Sequence, residues 1–329
     1  MSIDAKLDTG KGNYKVVMWE ISKYSAKYGI YLAFFLLIVV LSILSPNFLT
    51  VANLTNIVKQ VSINGILAIG ATYVLLSGGI DLSPGSLVAL TGVVAASFSH
   101  PGEYPVFVPI LAGLAVGALF GAINGFVIAK GKIPPFIVTL GMWTAARGVA
   151  LVYTDGRPVI DVSDSYRFIG GGYIFGVPIL IYFLVIVFVI AYFVLNNTVF
   201  GRRVYAIGGN ETAAQVSGIN VNAVKIAVYS IAGLLAGLGG ILLSSRILSG
   251  SPVAGTGYEL DAIAAAVIGG TSTSGGVGKL YGTMVGALII GVMNNGLDLL
   301  NVSSYYQQIV KGVIIVLAVY IDARSKQKS

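Results

Sequence analysis

The chain has 329 residues, of which 56% are hydrophobic and only 10% charged, where a soluble domain carries about 25% charged residues; such a composition excludes a chain whose whole surface faces water and points to lipid. The net charge of +7 does not mark a nucleic-acid binder, because the Lys and Arg residues are not gathered into one patch with interleaved aromatics. The absence of Cys and the single His100 exclude disulfides, thiolate chemistry and a metal site built from His or Cys clusters.

A bilayer core about 30 Å thick requires about 20 apolar residues per helix. The first apolar run covers 28–44, behind a segment carrying Lys6, Lys11, Lys15, Lys23 and Lys27. Ser45-Pro46-Asn47 is not a small-residue cleavage site, so this run reads as an uncleaved first span rather than a signal peptide. Further runs follow at 61–76, 82–98, 106–129, 136–152, 177–195, 223–243, 262–270, 280–300 and 309–321. Backbone groups in hydrocarbon must be satisfied within their own segment, so all of these read as helices.

The eighth run, 262–270, is short for a span, and the charges arbitrate. With ten crossings and a cytoplasmic N-terminus, the inner segments hold the N-terminal lysines, Lys130, Lys132, Arg202, Arg203, Lys225, Lys279, Arg324, Lys326 and Lys328. The outer segments hold only Lys59, Arg157, Arg167 and Arg246. That is the positive-inside bias. Were the eighth run not to cross, the basic C-terminus would fall outside. The expected fold is all-α: a polytopic integral membrane protein of about ten transmembrane helices with both termini cytoplasmic. It forms one transmembrane domain over 1–329, with a cytoplasmic segment at 1–27, a cytoplasmic loop at 198–222 and a cytoplasmic tail at 322–329.

Two loops are long. The outward one, 154–176, carries Asp155, Asp161 and Asp164 beside Arg157 and Arg167; the inward one is 198–222. Ser77-Gly78-Gly79 recurs as Ser274-Gly275-Gly276, with Gly85 and Val88 recurring as Gly282 and Val285. Both copies follow a short apolar run and precede another, the pattern of broken segments that in transporters lies near the substrate path.

Little in the chain can do chemistry. No His, Cys or carboxylate pair is placed for general acid–base work. The stretch 273–280 has Gly278-Lys279, but Leu280 follows and Thr273 opens it, so it is not a phosphate-binding loop. Ion-coupled carriers keep ionisable groups mid-membrane; here only Arg147 lies inside a run, with Asp298 and Lys311 near run ends. Arg147 reads as snorkelling or pairing with a carboxylate of the outer loop rather than lining a path.

The inward loop reads Gly208-Gly209-Asn210-Glu211-Thr212-Ala213-Ala214-Gln215-Val216-Ser217-Gly218-Ile219-Asn220. Asn210 suits an N-cap, Glu211 complements the dipole of a first turn and Gly218 suits a left-handed C-terminal cap. These predict a helix of about two turns, marginal alone and stable only when packed on its own spans or in a partner's groove.

At these residues the chain resembles the permeases of ABC importers, whose cytoplasmic loop carries a short coupling helix docking into the ATPase subunit. The resemblance extends through Leu44-Ser45-Pro46-Asn47-Phe48, Ser77-Gly78-Gly79-Ile80-Asp81-Leu82-Ser83, the stretch 255–265, Gly269-Gly270-Thr271-Ser272 and Ser303-Ser304-Tyr305-Tyr306-Gln307, and these strings are similar to the ribose-type branch. Thr212 interrupts the Glu-Ala-Ala pattern of the wider family. The resemblance implies two permease copies, a separate ATPase that binds ATP and Mg, an external sugar-binding protein, no cofactor in this chain, and a sugar passing between the copies.

The coupling site is expected at Gly209, Asn210, Glu211, Ala213, Ala214 and Gly218, with Glu211 either pairing with a basic residue of the ATPase or serving the helix dipole alone. Candidate pathway residues with hydrogen-bonding side chains are Asn64, Thr72, Tyr73, Asn294 and Asn295, against the plainer reading that such groups join helices. Asp81, Glu259 and Asp261 are expected at span ends, the latter two near the outer face where a binding protein docks. Galactose, xylose or a ribose-like signalling sugar stay open as substrates, as does an ATP-independent channel or carrier.

Overall fold

The computed structural model describes residues 29–326; the N-terminal lysines and residues 327–329 lie outside this range. The helices are α1 (Gly29–Leu44), α2 (Val51–Leu76), α3 (Pro84–Ser97), α4 (Phe107–Gly131), α5 (Pro135–Tyr153), α6 (Asp164–Gly171), α7 (Ile179–Asn197), α8 (Val199–Gly209), α9 (Glu211–Val216), α10 (Val221–Ile247), α11 (Tyr258–Ile268), α12 (Leu280–Leu299) and α13 (Ser304–Lys326). Each of the ten apolar runs falls on one of them. Among the described residues six helices are long and apolar enough to cross a membrane: α2, α4, α5, α7, α10 and α12.

The largest boundary differences come from polar residues that the tertiary structure satisfies. α2 begins ten residues before its apolar run, because Thr50 caps it by accepting from the Asn53 N–H and Asn53 exchanges two amide hydrogen bonds with Asn295, at 2.9 and 2.8 Å. Every residue from Val61 to Leu76 is buried, so α2 is the central helix. By contrast α5 and α7 turn most of their apolar surface outward. The eighth run is α11, of 11 residues; at 1.5 Å per residue it is about 17 Å long, roughly half a bilayer core.

Helix α4 carries glycines at positions 113, 117, 121 and 125, one every fourth residue and hence on one face. Gly117 and Gly121 meet Gly233 and Gly237 of α10, while Gly125 faces Ile226 and Tyr229 of the same helix. A Cβ on Gly117 would lie 2.8 Å from the Gly237 Cα, and one on Gly121 would lie 2.9 Å from the Gly233 Cα. Only the missing side chains let the two backbones come this close, the packing mode of small residues four apart in membrane helices.

Two sets of four helices are packed alike. α2 lies against α11 and α12 as α10 lies against α3 and α4; α2 and α10 touch each other; α3 meets α4 and α5 as α11 meets α12 and α13. In each set a long helix is followed by a short one. This correspondence matches the α2–α3 connection to the α10–α11 connection, not to the α11–α12 connection that carries the second Ser-Gly-Gly string. The two Ser-Gly-Gly strings instead sit against each other.

The connection between α5 and α7 is not wholly irregular. It contains α6 and a small antiparallel hairpin, β1 (Tyr173–Ile174) and β2 (Val177–Pro178), in register Tyr173 to Pro178 and Ile174 to Val177. The all-α expectation is corrected to that extent. α6 is pinned to α10: the Tyr166 hydroxyl lies 2.7 Å from Ser244 Oγ, and Ser245 Oγ accepts from the Gly170 N–H at 2.7 Å.

Candidate functional site

The segment 198–222 folds as two helices held by successive caps. Thr198 accepts from the Gly201 N–H at 3.3 Å and opens α8. Asn210, extended, accepts from the Ala213 N–H at 2.9 Å and opens α9. At the far end the Ile219 N–H donates to the Ala214 carbonyl at 3.1 Å, with Gly218 at φ +83°, a left-handed turn that a side chain would strain. Asn220 then caps α10 through the Ala223 N–H at 3.0 Å. α9 has six residues, about 9 Å. A helix this short keeps its shape only because both flanks are anchored.

Of the predicted coupling residues, Asn210, Glu211 and Ala213 are exposed and a Cβ on Gly209 or Gly218 would meet nothing within 4 Å. Ala214 differs: it is buried against the chain itself, so it seats the helix rather than presenting it. The apolar tip is Val216, 85% exposed. Sequence reasoning passed over it, although a β-branched residue beside Gln215 and Ser217 is the signal it left. Glu211 has a partner within its own chain: Lys225 Nζ of α10 lies 2.7 and 2.8 Å from its two carboxylate oxygens. Neither alternative for Glu211, a basic residue of another subunit or the helix dipole alone, had included this bond.

Beside α9 lies a concavity of about 500 Å³. Its walls include Lys132 and Pro134 from the α4–α5 turn, Glu211 and Gln215 from α9, and Asn220 and Lys225 from the start of α10. An open hollow of mixed polar and apolar lining, with Ile133 and Ile219 beside Lys132 and Glu211, next to an exposed helix is the shape that takes a protruding element of a protein partner. On the neighbouring turn of α8, the Tyr205 hydroxyl donates to the Gly278 carbonyl at 2.9 Å. Burial pushes that phenol above its ordinary pKa, so the donor proton stays in place.

The five predicted pathway residues are all buried within the single chain. Three are satisfied in helix packing: Tyr73 donates to the Ala191 carbonyl at 2.6 Å, Thr72 meets Thr283 at 2.7 Å, and Asn295 pairs with Asn53. Two keep unpaired polar atoms. Neither amide atom of Asn64 has a partner, and Asn294 donates to Asp261 Oδ2 at 3.2 Å while its Oδ1 has none.

Asp261 and Lys311 form an ion pair at 2.9 Å. The pair ties α13 to α11, and one expectation is corrected: Glu259 and Asp261 are 6% and 3% exposed, so neither presents a carboxylate for docking. Arg147 reaches no carboxylate of the outer loop. It donates to the Pro252 and Ala254 carbonyls at 2.6 and 2.9 Å and so pins the α10–α11 connection to α5.

Residues 53–319 match the family model described as branched-chain amino acid transport system / permease component. The ribose import permease protein RbsC of Escherichia coli is 52% identical over 299 residues, covering 90% of this chain and 93% of that relative. The protein of the same name from Haemophilus influenzae is 47% identical over 308 residues, 92% of this chain and 95% of its own. The xylose transport system permease protein XylH of Haemophilus influenzae is 37% identical over 342 residues, 85% and 91% of the two chains. No solved structure matches the chain. Six helices long and apolar enough to cross a membrane, a short exposed helix capped at its start and this likeness along nearly the whole length lead to one conclusion: the chain belongs to the branched-chain amino acid transport system permease family.

Proposed function

We propose that this chain is the membrane-spanning subunit of an ABC importer that carries ribose across the bacterial inner membrane. It works as a pair of copies, with a separate ATPase on the cytoplasmic side and a sugar-binding protein outside. The observation that carries this reading is the doubly capped α9, held out on anchored flanks beside a hollow, in a chain about half identical to ribose import permeases over about nine-tenths of its length. Xylose is the second reading, and the lower identity of the xylose permease weighs against it.

In this reading α1–α5, α7 and α10–α13 all cross, both termini are cytoplasmic, and 1–329 is one transmembrane domain. The short α3 and α11 cross with the help of the connections that precede them, where Ser77, Asp81, Ser83, Gly250 and Gly255 are buried in protein and irregular backbone is tolerated. The matched helices of the two four-helix sets then run in opposite directions, the inverted-repeat plan of many transporters. ATP and Mg belong to the ATPase, and this chain holds no cofactor. The ATPase grips α9 at Asn210, Glu211, Ala213 and Val216, with Gly209 and Gly218 as its flexible ends and Ala214 as its seat. The pathway reading rests on Asn64 and Asn294, whose unpaired amide atoms are free to meet sugar hydroxyls once the helices part.

The test is reconstitution in liposomes with the ATPase and the binding protein, following labelled ribose. Uptake that needs ATP and both partners, and that unlabelled ribose blocks better than xylose, is the expected result. Flux without ATP, or without the partners, would replace the reading with a channel or carrier.

A further inference from the structure

The two Ser-Gly-Gly strings, which the proposed function leaves unused, meet the end of α8 at one point. The α2–α3 connection supplies the Leu76 carbonyl and Gly78. The α11–α12 connection supplies Gly275 and Gly276. Between them lies Gly208, two residues before the cap of α9. The Gly276 N–H donates to the Leu76 carbonyl at 3.0 Å, so the two broken connections are bonded directly to each other.

No side chain fits at this point. A methyl on Gly208 would strike the Leu76 carbonyl oxygen and lie 2.5 Å from the Gly276 nitrogen. A methyl on Gly275 would lie 2.9 Å from both the Gly208 and Gly78 Cα atoms. Gly78, Gly275 and Gly276 all take positive φ, at +80°, +88° and +72°, where side chains are strained. The join is backbone against backbone, further tied by Tyr205 to Gly278, while the Ser272 N–H to Val277 carbonyl bond at 2.8 Å closes the second connection on itself.

We infer that this three-strand glycine joint makes Gly208 a positioning residue that passes displacement of α9 to both broken connections at once. The inference rests on the coupling role proposed for α9. Atoms that touch without intervening side chains have no rotamers to absorb a shift, and close-packed contacts transmit strain. One connection leaves the end of α2, the other joins α11 to α12, and these three helices carry Asn64, Thr72, Asp261, Thr283 and Asn294. A push on α9 therefore reaches the polar interior of both four-helix sets together instead of tilting one.

The chain has no native cysteine, so spin labels can be placed at Ala206→Cys and Ser274→Cys, both exposed sites, with doubly labelled copies diluted among unlabelled ones. The joint requires that their separation differ by less than about 3 Å, well under one helical turn, between nucleotide-free and ATP-trapped complexes; a larger change overturns it. In parallel, Gly208→Ala in the reconstituted complex is expected to lower sugar imported per ATP hydrolysed about tenfold while the ATPase subunit stays bound. Wild-type coupling in Gly208→Ala also overturns the joint. Should that variant fail to assemble, the distance measurement, which leaves Gly208 intact, still decides. Glu211→Lys separates the two readings: if it uncouples and Gly208→Ala does not, only the joint fails, whereas if Glu211→Lys leaves coupling unchanged, the role of α9 itself fails.

Discussion

Glu211 shows how one side chain serves two ends. Its carboxylate lies in the first turn of α9, where it suits the dipole, and it also grips Lys225. More than half of its side-chain surface is exposed, and such pairs contribute at most about 1 kcal/mol. Glu211→Lys should therefore leave thermal unfolding of the detergent-solubilised chain nearly unshifted while ATP-driven uptake falls at least about tenfold. A large drop in melting temperature would mean that the residue acts through folding. The reverse holds for Asp261. It is buried, with Lys311 and Asn294 as partners, and removing one member of a buried pair typically costs about 3–5 kcal/mol. Asp261→Asn should lower thermal stability sharply, and adding Lys311→Met should recover much of the loss. An additive double variant would show that the pair is not coupled.

At the scale of elements, the glycine ladder of α4 against α10 brings two helix backbones into direct contact. Gly117→Val would force the backbones apart, at a cost of about 1–3 kcal/mol or more, readable as a lower midpoint in thermal unfolding. An unchanged midpoint would show that the contact yields freely. This ladder was present in the sequence as four glycines spaced by four, yet it was legible only as composition, because its partner Gly233 lies over a hundred residues away. Apolar runs, by contrast, announce themselves locally, and each fell on a helix. The caps Asn210 and Gly218 were readable for the same reason: their physics is confined to one turn. What the sequence could not disclose was pairing. Nothing local says that Glu211 meets Lys225, that Asn53 meets Asn295, or that Asp261 is neutralised from α13. Polar residues at 51–60 hid the start of α2 because their partners are remote.

For the whole molecule, the proposed topology is open to a direct check in the same Cys-free background. Glu103→Cys should react with an impermeant maleimide added to intact cells, and Val216→Cys only after the membrane is opened; labelling of both from outside would exclude ten crossings with cytoplasmic ends. The α4–α10 ladder also bears on how the chain is made. Gly131 ends α4 and Val221 begins α10. With synthesis at about 5–20 residues per second, the ribosome needs on the order of 5–20 seconds to cover the interval. During that time the face of α4 that holds Gly117 and Gly121 is without the glycines of α10 that cover it in the folded chain. Of the neighbours that emerge first, α7 has no small residues four apart with which to fill it, whereas α5 carries Ala146 and Ala150 at that spacing. Integration of this protein is thus a matter of holding a vacancy open for a late arrival, and any mutation or stall that lengthens the wait exposes the groove to the wrong helix, including α10 of a neighbouring nascent chain.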